Sequence, residues 1–206
     1  MQYIDAKYDL LINGEWVPAE GGETFETFNP ANGEKLADCA NASPADIDRA
    51  VAKAKAAREQ GADVVAMAMH SVQEYLDYAD SWQQDEAHEL ADTGAFDVIY
   101  GAGCHCAQPI ENYNGTWIIY GLGNAVTESA NTADTIVNNQ GVTARIQFAG
   151  KKGVAGSWRV NRIDWVPSAN VTQGKYQWCS LASDHPEGPC WDETQDANVR
   201  QRIWDV

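Results

Sequence analysis

Two apolar runs that open into polar loops decide the fold: DVVAMAMH, residues 63–70, and FDVIYGAGCHC, residues 96–106. Each run is nearly continuously apolar at its start, as in a strand that is buried on both faces of a sheet. A helical pattern from about Gln83 to Asp92 separates them, and TWIIY, residues 116–120, forms a third run. Strands that alternate with a helix and end in polar loops are typical of α/β proteins. We therefore expect an α/β fold whose candidate functional side chains follow the first two strands.

The N-terminal residues predict short strands and one capped helix. Residues 9–19, DLLINGEWVPA, place apolar residues on both sides of Asn13-Gly14, a strong hairpin signal. Further along, Ser43 can cap the free amides of a helix, Pro44 fits its first position, and Asp46 suits the positive end of its dipole. The predicted helix ends at about residue 60.

The C-terminal third predicts an antiparallel strand pair followed by a tail rich in turns. Residues 142–148 and 157–166 alternate apolar with polar side chains, as half-exposed strands do. A short helix is predicted at Ala197 to Trp204. The tryptophans of the tail are expected to bury it against the sheet, which is favoured over an aromatic platform for sugars.

Composition limits the classes of function. Hydrophobic residues make up 44% of the 206 positions, which is enough for a packed core, and the formal net charge is −16. A chain with this much negative charge repels phosphate backbones and anionic lipid headgroups. Neither nucleic acid nor a membrane surface is therefore an expected partner. The sequence shows no signal peptide and no apolar run of about 20 residues that could span a bilayer. A cytoplasmic location is therefore expected.

The five cysteines do not form a complete disulfide framework, because their number is odd. Cys179 and Cys190 bracket a turn-rich loop and could pair in an oxidising compartment, or could stay apart as free thiols. Both alternatives remain open from the sequence.

Residues 9–57 resemble the extreme N-terminus of aldehyde dehydrogenases. The resemblance is carried by LLINGEWVPAEGGETFETFNPANGEKLADCANASPADIDRAVAKAKAA, in which INGEW precedes an NPANGE turn and a capped helix. In that family this stretch precedes the nucleotide-binding domain. The family's catalytic residues and cofactor loop would lie further on, so the resemblance implies shared ancestry without activity and without NAD binding.

From about residue 49 to residue 206 the chain is similar to capsule-synthesis (poly-γ-glutamate, CapA-type) metallophosphatase-like proteins. Three ordered stretches carry this resemblance: AREQGADVVAMAMHSVQEY (57–75), AHELADTGAFDVIYGAGCHCAQPIE (87–111) and NGTWIIYGLGNAV (114–126). The resemblance implies a partial metallophosphatase-like β-sandwich with flanking helices, preceded by the short strands and helix. The predicted divisions are residues 1–57, residues 58–172 and a turn-rich tail at 173–206. The two resemblances together predict a chimeric chain.

The second resemblance also implies a metal site. His70 matches a histidine that ends a strand in the family, and His105 matches the second histidine of a conserved loop pair. Glu74 and Asn124 keep family patterns as supporting residues, whereas Ala102 stands where the first loop histidine should be. Two cations need more donors than these, so we expect at most one divalent metal, Mn, Fe or Zn, and incomplete catalysis. An anionic polymer or phosphoester substrate is implied by the resemblance alone.

Other interpretations of the same residues stay open. Cys104, His105 and Cys106 could form a thiolate–imidazole zinc site with His70, although the thiols more simply fill a loop. The remaining histidines, His88 and His185, are predicted to be ordinary surface residues. The competing functions are a catalytically incomplete capsule-synthesis protein, a non-catalytic binding scaffold, and an inactive aldehyde dehydrogenase fragment. Because half of the family's domain is missing, self-association through an exposed sheet edge is also expected.

Overall fold

A computed structural model of the chain describes residues 5–70, 73–127, 136–154, 156–171, 177–182 and 188–206. The chain divides into two compact units, Met1–Gly61 and Ala62–Val206. Within the described residues three α-helices accompany four separate sheets. This mixed composition confirms the predicted class, an α/β protein that begins with short strands and one helix.

The described residues of the first unit, 5–61, form five strands and one helix: β1 (Lys7–Tyr8), β2 (Leu10–Ile12), β3 (Glu15–Val17), β4 (Thr24–Phe28), β5 (Lys35–Ala40) and α1 (Pro44–Glu59). Strands β2 and β3 form the predicted hairpin, and both turn residues, Asn13 and Gly14, have positive φ angles, as a two-residue hairpin turn requires. Strand β5 lies between β1 and β4 in a second small sheet.

Helix α1 begins as the sequence predicts. The Ser43 side chain accepts a hydrogen bond from the amide of Asp46, and the Asp46 carboxylate accepts one from the amide of Ser43, which together form a capping box. The same carboxylate accepts hydrogen bonds from the amide of Glu20 and forms an ion pair with Arg49. The hydrogen bond from the Ser43 amide is the main cause that lowers the pKa of Asp46. One buried carboxylate therefore both starts the helix and ties it to the turn that follows β3.

The second unit contains a sheet followed by a long hairpin. Its elements are β6 (Ala66–Met69), α2 (Ser81–Asp92), β7 (Val98–Gly101), β8 (Ile110–Tyr113), β9 (Thr116–Ile119), a 3₁₀ turn (Ile136–Asn139), β10 (Gln140–Ala149), β11 (Arg159–Val171), β12 (Gln177–Ser180) and α3 (Glu193–Asp205). The first sheet has the order β6-β7-β9-β8, with β6, β7 and β9 parallel and β8 antiparallel to β9. Its core is formed by Val98, Ile99, Ile118 and Ile119, which are almost fully buried.

Strand β6 differs from the prediction. It was expected to be buried on both faces, but only Met69 of its four residues is buried. In the described part of the chain β6 pairs with β7 alone, and the strands of the first unit form sheets of their own. The apolar run therefore forms an edge strand, and the side of β6 that faces away from β7 has no strand partner in the described residues.

The second sheet of this unit consists of β10, β11 and β12, which are antiparallel, with a bulge in the register between Gln147 and Phe148. Helix α3 packs on it through a small core: Ala107, Ala169, Leu181, Val199 and Ile203. Cys179 and Cys190 form a disulfide that joins β12 to the segment before α3. No helix in the described ranges is both long and apolar enough to cross a membrane.

The tail differs from the prediction in two respects. Helix α3 begins at Glu193 rather than near Ala197, because the Asp192 side chain caps the amide of Gln195. The Trp204 ring contacts that of Trp165, with centroids 5.4 Å apart, yet it remains 71% exposed. The expected burial of this tryptophan against the sheet is therefore wrong.

Candidate functional site

The candidate site lies where β6 and β7 end side by side. The amide of Ala102 donates to the carbonyl of Met69 at 3.0 Å, which extends the contact between the parallel strands by one residue. His70 and Ala102 thus start neighbouring loops, in the place where α/β folds collect functional groups. His70 is exposed at this position.

Two residues in left-handed backbone conformations join these loops. His105 and Tyr75 have φ angles of 63° and 64°, which non-glycine residues rarely adopt. Their rings stack with centroids 5.3 Å apart, and the amide of Tyr75 donates to the carbonyl of Cys104 at 2.8 Å. Since strained backbone persists only where the surroundings impose it, this pair marks the part of the loop whose shape is most tightly specified.

The hydrogen bonds of Asn124 fix which nitrogen of His105 carries the proton. The side-chain amide nitrogen of Asn124 donates to the carbonyl of Asn138 at 2.9 Å, so its Oδ1 is turned towards His105. The distance from this oxygen to His105 Nδ1 is 2.9 Å. Because an amide oxygen can only accept, Nδ1 must donate, and the neutral ring keeps its lone pair on Nε2.

The free nitrogen of His105 faces a carboxylate. Its Nε2 lies 4.0 Å from Glu74 Oε1, and the two side chains are 32% and 61% exposed. An imidazole whose second nitrogen is held by a hydrogen bond, with an acidic side chain beside the first, is the usual arrangement of a histidine that binds a metal. The structure thus brings together three of the four predicted site residues: His105, Glu74 and Asn124.

The two cysteines beside His105 lie in the interior. Cys104 and Cys106 are completely buried, and the Cys104 thiol is 3.0 Å from the carbonyl oxygen of Cys106. Burial raises the pKa of Cys104, and it raises that of Cys106 to about 12. Since a metal binds the thiolate, protonated buried thiols are poor ligands, and the geometry favours the interpretation that they fill the loop. No group of three or more His, Cys, Asp or Glu side chains close enough to hold a metal exists among the described residues.

Two buried glutamines support the loop, and only Gln108 lay in a motif that the sequence singled out. Gln108 donates to the carbonyls of Tyr78 and Leu76 at 2.7 and 3.2 Å, which holds the segment before α2 against the loop. Gln83 donates from α2 to the Gln108 side chain at 3.0 Å. The role of Gln83 was missed, since a single glutamine in a helix gives no periodic signal. Gly121 is also required here, because an added Cβ would lie 2.4 Å from Cys104 Sγ.

His88 is not the ordinary surface residue that the sequence predicts. Its Nε2 lies 3.0 Å from a Glu111 carboxylate oxygen, and its ring stacks on Tyr113 with centroids 3.8 Å apart. The same carboxylate oxygen accepts the hydroxyl of Tyr120 at 2.7 Å. Burial acts to raise the pKa of Glu111, but the hydrogen bonds from His88 and Tyr120 lower it on balance. This cluster joins α2 to β8. The other predicted surface histidine, at position 185, lies outside the described residues.

The fold and the site define a mixed α/β protein with a histidine, a carboxylate and an amide at the ends of parallel strands. Residues 15–129 match the family model described as "Bacterial capsule synthesis protein PGA_cap". The match covers more than half of the chain, which therefore belongs to the bacterial capsule synthesis protein family. It includes all four predicted site residues and begins inside the segment that resembles aldehyde dehydrogenases. That second resemblance stays a prediction.

Proposed function

We propose that this chain is a capsule-synthesis protein of metallophosphatase type whose catalytic site is incomplete and which holds one divalent cation at His105. The observation that carries the proposal is the hydrogen bond between His105 Nδ1 and Asn124 Oδ1, which leaves Nε2 available to bind a cation beside Glu74. The His105 and Glu74 side chains would be the protein ligands. His70 stays a predicted ligand only, since among the described residues no three His, Cys, Asp or Glu side chains lie close enough to share a metal. Imidazole with carboxylate suits Mn, Fe or Zn.

Such a cation would attract an anionic group and act as a Lewis acid towards it. A phosphoester is one candidate ligand, and a carboxylate-rich polymer such as poly-γ-glutamate is another. The exposure of Glu74 and His70 supports access by a polymer, because neither lies in a closed pocket.

The incompleteness follows from the side chains that occupy the loop. Ala102 has only a methyl group at the position of the expected first histidine of the pair. Cys104 and Cys106 are buried and carry raised pKa values, so they do not compensate for the lost imidazole. A hydrolytic site with two cations needs more donors than His70, His105 and Glu74 supply.

Metal binding can be tested with two matched histidine variants. We expect equilibrium dialysis to give one equivalent of Mn²⁺ or Zn²⁺ for the wild type and for His88→Ala, and loss of binding for His105→Ala. The His88 variant is the control, because it removes the same side chain from the cluster on α2. Equal, near-zero occupancy in all three proteins would reject the cation.

Hydrolysis is tested separately, with p-nitrophenyl phosphate and its diester as substrates. We expect no turnover above background with Mn²⁺, Fe²⁺ or Zn²⁺ present. Hydrolysis that disappears on adding a chelator and in His105→Ala would show that the site is complete after all.

A non-catalytic binding scaffold is the second candidate, and the close packing of the loop favours it. A Cβ on Gly101 would clash with the carbonyl oxygen of Tyr120, and one on Gly121 would clash with Cys104 Sγ. We infer that this packing holds the loop in shape without a bound cation. This function predicts a melting temperature that is the same with and without chelator. The third candidate, an inactive aldehyde dehydrogenase fragment, predicts no binding of nicotinamide cofactors.

The compartment in which the protein works belongs to the same proposal. A cytoplasmic location remains a prediction from the sequence. The disulfide between Cys179 and Cys190 supports an oxidising compartment instead, since cytosolic thiols are normally kept reduced. Thiol labelling of the protein in intact cells would separate the two, because labelling of Cys179 without a reductant requires the free thiol.

A further inference from the structure

The charge of the chain is distributed very unevenly along its second unit. Residues 62–139 contain twelve Asp and Glu and no Lys or Arg, whereas residues 140–168 contain five Lys and Arg and a single Asp. The second segment consists of β10, its turn and β11 as far as Ser168, and is called the basic ribbon below. The net charge of −16 therefore conceals a strongly cationic element.

The register of the basic ribbon collects charged side chains on one face. Arg145 is paired with Asp164 and Gln147 with Arg162, so these four side chains share a face, while Ala144, Ile146 and Trp165 share the other. Arg145 and Arg162 are 78% and 65% exposed. Lys151, Lys152 and Arg159 are exposed at the turn end of the ribbon.

The positive charge of the ribbon is mostly uncompensated. Asp164 pairs with both Arg145, at 2.6 Å, and Arg162, and the hydrogen bond from Arg145 is the main cause that lowers its pKa. No acidic side chain in the described ranges pairs with Lys151, Lys152 or Arg159. Among the strands of the described residues, none pairs with the outer edges of the ribbon around residues 143–149 and 159–166.

The complementary surface is present in the same chain. Helix α2 carries acidic residues on its outer side, with Asp85, Glu86, Glu89 and Asp92 all exposed. We propose that the basic ribbon of one molecule docks on the acidic α2 surface of a second copy. The proposal concerns association and is independent of the metal site.

The range of the electrostatic forces decides whether this attraction can exceed the repulsion between two acidic molecules. At about 0.1 M salt the Debye length is about 10 Å. A strand of the length of β11, 13 residues, extends over about 40 Å. Charges at the contact therefore interact with one another and are screened from most of the remaining acidic surface. Because the ribbon and the α2 surface are different patches, the contact is heterologous, and a pair of molecules leaves the α2 surface of one and the ribbon of the other unused.

The test uses the full chain and two double variants with equal change in net charge. Lys151→Glu/Lys152→Glu reverses the charge of two lysines at the turn end of the ribbon. The control, Lys53→Glu/Lys55→Glu, reverses the charge of two exposed lysines of α1. Sedimentation velocity over a concentration series measures association at about 0.1 M and about 0.5 M NaCl. We expect the wild type and control to associate at the lower salt, at least about tenfold more weakly at the higher salt, and the ribbon variant to lose association at both.

A charge exchange identifies the surface that the ribbon meets. Asp85→Lys/Glu89→Lys should also lose self-association, but should bind the ribbon variant when the two are mixed. Circular dichroism of each variant verifies that it is folded.

A monomeric wild type, equal losses in ribbon variant and control, or a mixture that does not associate would each overturn the proposal. Association that ignores both salt and ribbon charge would also overturn it, and would assign the contact to the free edge of β6. Binding of a monomeric wild type to vesicles rich in anionic lipid would identify a membrane instead of a second copy.

Discussion

His105 and His88 have similar surroundings but are held through different ring nitrogens. Each is partly exposed, each stacks on a tyrosine, and each has one ring nitrogen hydrogen-bonded to a side chain. In His105 the bonded atom is Nδ1 and the partner is a neutral amide, so Nε2 stays available. In His88 the bonded atom is Nε2 itself, which lies against Glu111 and Tyr120. The difference between the two histidines is therefore which ring nitrogen the fold engages, and it leaves Nε2 available for a ligand in His105 alone of this pair.

Replacing Asn124 by Ala should have the largest effect, on metal binding. The change removes the acceptor that holds the His105 proton on Nδ1, and loss of such a partner usually weakens metal affinity about 10- to 100-fold. Equilibrium dialysis with Mn²⁺ or Zn²⁺ measures this. Glu111→Gln is the matched control at the other histidine and should leave the affinity unchanged. Equal affinities for all three proteins would remove the distinction between the two histidines.

Replacing His88 by Ala should reduce the free energy of unfolding by about 2 kcal/mol. The variant loses the stacking on Tyr113 and leaves the Glu111 carboxylate with one hydrogen bond fewer. Urea denaturation measures the change, with Asp85→Ala on the same helix as the control, for which we expect less than about 0.5 kcal/mol. A His88 variant as stable as its control would mean that the cluster does not hold α2 to β8.

The lowered pKa of Glu111 predicts how stability depends on pH. A carboxyl group that is more acidic in the folded than in the unfolded chain stabilises the fold above its unfolded pKa, about 4.3. That contribution is lost as the pH falls through the lower, folded pKa. Melting temperatures between pH 3 and pH 6 should therefore fall less steeply with acidification in Glu111→Gln than in the wild type. Parallel profiles would contradict the assignment.

The smallest effect should separate two replacements of His105. Both His105→Gly and His105→Ala lose the ring with its stacking on Tyr75 and its hydrogen bond to Asn124, but only glycine adopts a φ of 63° without strain. We therefore expect the free energy of unfolding to be about 0.5–1 kcal/mol higher for the glycine variant than for the alanine variant, with metal binding lost in both. Equal stabilities in urea denaturation would show that the backbone at this position carries no strain.

The sequence predicted those features that depend on neighbouring residues. The Ser43 cap of α1, the hairpin at Asn13-Gly14 and the buried Val98 and Ile99 follow from local patterns, and the structure confirms them. Metal binding itself stays a prediction.

Features set by distant residues could not be predicted in the same way. Glu111, which makes His88 a structural residue, lies 23 positions away in sequence. The apolar pattern of β6 is the same for an interior or an edge strand, because the difference lies in which other strands pair with it. The cationic segment at residues 140–168 is visible in the sequence, but the net charge of the whole chain does not reveal it.

The disulfide between Cys179 and Cys190 tethers the start of α3 to β12. The bond closes a short loop whose ends lie 11 positions apart in sequence, and a loop of that size stabilises a fold by about 3 kcal/mol in the chain-entropy description. The buried surface of α3 rests mainly on Val199 and Ile203. When a reductant opens the bond, we expect this helix to be the first part of the second unit to unfold. Protease digestion with and without reductant would then cut next to α3 before it reaches the parallel sheet.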